Sequence, residues 1–257
     1  MKPIKSNDNR ATATYVTLYK IGGLAGLIAA ILCRRNYDAE YFLLRMAGII
    51  REGPIVGPGT ILEWFDILQN NKTLGLIFLN LSDLINYILV GFLFLALFHA
   101  LKRENPALMS VAMFLSIMAV SIYLSTNQAF AMSSLSDQYT LATTSEQKAM
   151  LLAAGQAVLA IHNNATFAGA SLYPAFLFIS IAGLMISAVM LKSNTFNQIT
   201  GYFGLIANIT GLSYYGFLVF APSLVYIPLS ISAPFLLIWY ILVGLRLLIL
   251  DPEVYGK

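Results

Sequence analysis

The sequence predicts an all-α fold, a polytopic integral membrane bundle of about six transmembrane helices with two outer interfacial helical connections. Three observations carry this expectation. Apolar residues make up 58% of the 257 and charged residues only 11%, against roughly 45–50% and 25% in soluble domains. The mean hydropathy is +0.75. The apolar residues also fall in continuous runs of spanning length, not in the ~10-residue alternating segments of a membrane barrel. Residues 1–257 are therefore read as one integral membrane domain.

The spans are expected at approximately 15–33, 74–101, 107–132, 165–191, 199–220 and 226–250. The first is preceded by Lys2, Lys5 and Arg10, as a signal peptide would be. Leu32, however, fills the last small-residue slot before Cys33, so the segment is kept as a span. Lys20 shortens its apolar core and must snorkel toward an interface. The second span, LGLIFLNLSDLINYILVGFLFLALFHAL, is read as one helix with one ionisable group, Asp83, well inside it. A carboxylate in a span is expensive and is expected to be enclosed among helices. KREN and KSNTFNQ are short connections, so the second span should pair with the third and the fourth with the fifth. Pro174 and Pro234 are expected to kink their helices.

Two connections are longer than a bundle requires. The first holds EYFLLRMAGIIR, the breaker GPIVGPG and ILEWFDILQ. Thr60 and Glu63 have capping-box spacing, which predicts a helix from Ile61. Its Ile61, Leu62, Trp64, Phe65 and Leu68 suit an amphipathic helix lying at the headgroups, with Trp64 as anchor. The second holds SEQKAMLLAAGQAVLAIH, with Thr144 as its cap and Gln147 three residues on.

Charge placement selects a threading with both termini cytoplasmic in the inner (cytoplasmic) membrane. Lys2, Lys5, Arg10, Lys20, Lys102, Arg103, Lys192, Arg246 and Lys257 then lie inside, while Arg34 and Arg35 dissent. The net charge of +3 is scattered, which argues against a nucleic-acid partner. Cys33 is the single cysteine and forms no internal disulfide.

LSDLINYILVGFLFLALFHALKREN, STNQAFAMSSLSDQYTLATTSEQKAMLLAAGQAVLA and ISAPFLLIWYILVGLRLL together resemble an uncharacterised prokaryotic family of multi-span membrane proteins, a domain of unknown function. The resemblance runs from about Lys20 to Leu250. It implies a helical bundle in a bacterial or archaeal membrane and brings no catalytic residues.

The residues that carry chemistry are few. Asn80, Asp83, Asn86 and Tyr87 share a face if the second span is one helix. Asn127 lies in the outer half of the third span, on a face with Ser116, Val120 and Tyr123. Tyr173 starts the fourth span, and Asn208, Tyr214 and Tyr215 line the fifth. The ligand-binding candidates are accordingly Asp83, Asn80, Asn86, Asn127, Tyr173, Asn208 and Tyr215. The competing reading is a buried hydrogen-bond knot that fixes helix register. Gly204, Ala207 and Gly211 on the fifth span, and Gly183 with Ser187 on the fourth, form small-residue stripes that need no functional account. His99 and His162 fall at opposite membrane faces, and no metal, cofactor or catalytic motif emerges. Three functions stay open: a non-enzymatic protein that holds or passes a small amphiphilic or lipid-like ligand, a structural or regulatory subunit bound to a membrane-protein partner, and an intramembrane enzyme. Membrane lipids are partners in all three.

Overall fold

The computed structural model describes residues 15–33, 60–163, 172–224 and 226–250. Every regular element among them is helical. In chain order these are α1 (Tyr15–Cys33), α2 (Ile61–Asn70), α3 (Lys72–Phe78), α4 (Leu81–Leu101), α5 (Pro106–Thr126), α6 (Ala129–Leu141), α7 (Ser145–Asn163), α8 (Leu172–Met190), α9 (Gln198–Phe220), a 3-10 turn (Pro222–Leu224) and α10 (Tyr226–Ile249). Among the described residues, five segments are long and apolar enough to cross a membrane: Tyr15–Cys33, Leu81–Leu101, Pro106–Leu141, Gln198–Phe220 and Pro222–Ile249. Pro174–Met190 is a shorter apolar helix. This is the expected multi-span membrane protein. The segments EYFLLRMAGIIR and GPIVGPG, both termini, and the start of the expected fourth span lie outside the described residues.

Two expected spans are interrupted. The second breaks at Leu79–Asn80 into α3 and α4, and the third breaks at Asn127–Gln128 into α5 and α6. The chain forms two compact units, whose boundaries fall inside α4, α5 and α8.

The first unit comprises Met1–Arg34, Asn86–Val120 and Phe176–Lys257. Its core is built on Leu93, Leu97, Met109, Met190, Trp239 and Val243, all buried. α1 meets α10 backbone to backbone: a Cβ on Gly23 would stand 2.8 Å from the Gly244 carbonyl oxygen, and one on Gly244 would stand 2.9 Å from that of Gly23. Small residues permit such approach where no side chain intervenes. α4 packs beside α5, with Val120 3.2 Å from where a Gly91 Cβ would be. α8 packs beside α9 through Gly183, Ser187, Gly201 and Gly204. Both pairings follow from the short connections. The α8–α9 turn is held down by Arg246, whose Nε donates to the Thr195 carbonyl at 2.7 Å. Pro234 does lie inside α10. Nearby Ser232 is engaged across helices, its hydroxyl donating to the Ala207 carbonyl at 2.7 Å.

The second unit comprises Arg35–Ile85 and Ser121–Ala175. The capping box of α2 forms as the spacing predicts. Glu63 N–H donates to Thr60 Oγ1 and Thr60 N–H donates to Glu63 Oε2, each at 3.3 Å. The cap of α7 forms too: Gln147 N–H donates to Thr144 Oγ1 at 3.1 Å, and Gln147 Oε1 accepts from the N–H groups of Thr143 and Thr144. Hydrogen bonds from its own backbone, Ser145 and Thr144 hold the Glu146 carboxyl below the usual carboxylate range.

The apolar face of α2 packs on protein. Ile61, Trp64, Phe65 and Leu68 are buried in a protein core with Leu79, Ala129, Met132 and Leu159. Trp64 is 3% exposed, so the apolar face meets α6 and α7. Gly155 lets α7 come close, since a Cβ there would lie 2.7 Å from Ile61 Cδ1. Ser136 donates to the Phe65 carbonyl at 3.2 Å and accepts from Gln69 Nε2 at 2.9 Å. Lys72 and Asp137 close the α3–α6 contact with an exposed ion pair at 2.8 Å.

Candidate functional site

The two helix breaks come together. Asn80 adopts φ 62°, the left-handed region, and is the only non-glycine residue to do so among the described residues. Asparagine tolerates that conformation where it ends a helix. Asn80 N–H donates to the Ile77 carbonyl at 3.0 Å, closing α3, and its own carbonyl accepts from Leu84 N–H at 3.1 Å, opening α4. Across from it, Asn127 Oδ1 accepts from Ala129 N–H at 3.0 Å and so starts α6. Asn127 Nδ2 reaches the Asn80 carbonyl at 3.5 Å. One amide thus stitches the two interruptions.

Asp83 follows in the first turn of α4 and is half-buried. It is therefore not enclosed in mid-span, and the single-face argument loses Asn80, which stands outside the helix. The physical reason is position: a carboxylate in a first turn is favoured by the unpaired N–H groups and dipole of the helix start. α4 alone has 21 residues, about 31 Å at the usual helical rise and enough to cross the hydrocarbon. Asp83 thereby sits near the end of a span, where an acid is less costly. Asn86, one turn further along, keeps a buried Oδ1 with no hydrogen-bond donor among the described residues.

Other candidates lie elsewhere on the chain. Asn208 is buried in the first unit, its Nδ2 donating to the Gly204 carbonyl at 2.7 Å, and its amide fills the space left by Gly183. That arrangement is helix packing. Tyr215 stacks on Phe176 at 6.3 Å between ring centroids and meets Tyr214 edge-on at 5.3 Å. Tyr173 lies in the first turn of α8, its side chain outside the described residues. Ser116 and Tyr123 are both fully buried.

Sequence reasoning missed the breaks and the Gln69–Ser136 network. The signal for the first break was present: in LNLSD an asparagine that tolerates the left-handed region precedes Ser82 and Asp83, which favour helix starts. Among the described residues no three His, Cys, Asp or Glu side chains gather to hold a metal ion.

Helices of this length and composition define a multi-pass integral membrane protein. Residues 41–250 match the family described as a domain of unknown function, DUF4386, and the chain belongs to that family. No curated protein and no solved structure matches it.

Proposed function

We propose that this membrane protein holds or passes a small amphiphilic, lipid-like molecule whose polar end meets the paired helix breaks. The contact between Asn127 and Asn80 carries the reading. Non-helical backbone in a membrane protein is tolerated where protein encloses it or a polar cavity adjoins it. Here the stitch is a single bond of 3.5 Å, at the long limit for an amide donor. The Asn80 carbonyl already accepts from Leu84 N–H, whereas the Asn127 amide has a second N–H to offer a further group. Half-exposed Asp83 adds a carboxylate at the level where an amphiphile carries its head, and the apolar length of α4 suits a tail.

Protein purified gently from its native membrane should carry a bound small molecule above the lipid background in native mass spectrometry. Asn127→Leu combined with Asp83→Asn should remove it while the bundle stays folded. A wild type without any bound species, together with a double variant more stable than wild type, would reduce the polar groups to packing.

The structural or regulatory subunit reading then takes over, supported by apolar side chains exposed in the second unit. Leu141 is 79% and Met150 73% exposed, and α7 is not among the helices apolar enough to span.

The charge bias of the loops supports a threading with both termini cytoplasmic in a prokaryotic inner membrane. A reporter active only inside, fused after Lys257, should be active. Activity confined to an outside-only reporter would end that threading.

A further inference from the structure

The start of α1 and the end of α4 assemble a basic and aromatic cluster. Lys102 Nζ lies 5.8 Å from the centroid of the Tyr15 ring and 5.9 Å from that of Phe98. The His99 ring sits 5.7 Å from Tyr15 and 5.3 Å, edge-on, from Phe98. His99 Nδ1 is 3.0 Å from the Leu95 carbonyl, which fixes the ring. Two aromatic faces restrain an ammonium that would otherwise sample many rotamers, so less freedom is lost when an anion binds. Arg103 follows, exposed.

Among the described residues no ion pair joins these cations to a carboxylate. The only ion pair among the described residues is Lys72–Asp137, and exposed Glu104 is the one acid in the turn. The cluster also marks a level in the membrane. α4 is apolar from Ile88 to Phe98 and ends at Leu101, immediately before Lys102, and tyrosines and basic side chains gather where hydrocarbon gives way to headgroups. From this point an apolar stripe is exposed along α1, with Leu24 at 53% and Ile31 at 65% and Ile21 and Ile28 between and beside them.

We infer that this cluster binds the phosphate of an anionic phospholipid, with Lys102 and Arg103 as charge-assisted donors, Tyr15 and Phe98 holding Lys102 in place, and an acyl chain along the α1 stripe. Charge-assisted bonds to phosphate are the strong class of hydrogen bond, and anionic lipid attracts each basic group near the surface. The exposed apolar stripe is what selects a lipid over a free phosphate.

The test uses the full chain in nanodiscs of phosphatidylcholine with and without phosphatidylglycerol, counting retained lipids by native mass spectrometry. Wild type should retain phosphatidylglycerol over phosphatidylcholine by about tenfold. Lys102→Gln and Arg103→Gln should each lower that preference, the two together should abolish it, and Lys102→Arg should keep most of it. Raising the salt should release phosphatidylglycerol from wild type, a readout that needs no variant to fold. Equal retention of the two lipids, retention indifferent to salt, or a double variant with the full preference would each overturn the site. Displacement of the lipid by soluble glycerol phosphate would overturn the lipid assignment and leave a phosphate site.

Discussion

Gly204→Leu is expected to lower bundle stability by about 3 kcal/mol or more, while Gly216→Leu on the same helix should change it by less than about 0.5 kcal/mol. Both replacements remove a helix-weakening glycine from α9, so propensity favours both. Packing separates them. A Cβ on Gly204 would collide with Ser187 Oγ and stand 2.6 Å from Trp239 Nε1, whereas nothing lies within 4 Å of a Cβ on Gly216. Ser187 can rotate away only by giving up its 2.7 Å bond to the Gly183 carbonyl. Trp239 cannot yield: it is fully buried and wedged edge-on against Phe94 at 6.0 Å. Its indole nitrogen already has no acceptor among the described residues, so a shifted ring gains nothing to offset the clash. Unfolding titrations with dodecyl sulfate in mixed micelles would measure both variants. Matching midpoints for the two would refute the close α8–α9–α10 contact.

Trp64→Ala should destabilise the second unit by about 3–5 kcal/mol, the usual range for removing a buried aromatic side chain. Leu62→Ala, on the 50% exposed face of the same helix, should cost little. The difference arises because Trp64 is buried in the core shared by α2, α6 and α7, whereas Leu62 is not part of it. Hydrogen exchange should therefore rise across α2, α6 and α7 in Trp64→Ala and stay near wild type in Leu62→Ala. In a Trp239→Phe background Trp64 is the only indole left, and its fluorescence should resist both iodide and shallow lipid-attached quenchers. Strong quenching by the shallow lipid probe would restore the headgroup position that the sequence predicted for α2.

That position shows where reading the chain runs out. Ile61, Trp64, Phe65 and Leu68 define an apolar face from their spacing alone, but lipid and a protein core are equally apolar partners for it. The candidate site divides in the same way. The residue types at Asn80, Asp83 and Asn127 were legible as polar exceptions in apolar runs, whereas the assumption of one unbroken helix put Asn80 and Asp83 on a common face. Hydropathy averages over a turn or more, so it does not register a single residue at positive φ. Asn208 looked like a site residue for the same reason that it packs well: a short amide beside glycines can fill a gap and satisfy its own helix.

What the sequence by itself determined is what depends on local chemistry or on summed apolarity: the membrane class, the helical state of the first, fifth and sixth apolar runs, the caps at Thr60 and Thr144, and the glycine stripe of α9. Only the tertiary structure decided that two helices stop and restart, that Asn127 crosses from one break to reach the other, and that α2 spends its apolar face on α6 and α7. Those outcomes turn on contacts between segments distant in the chain, whose hydrogen bonds and close packing leave no mark in the periodicity of either segment alone.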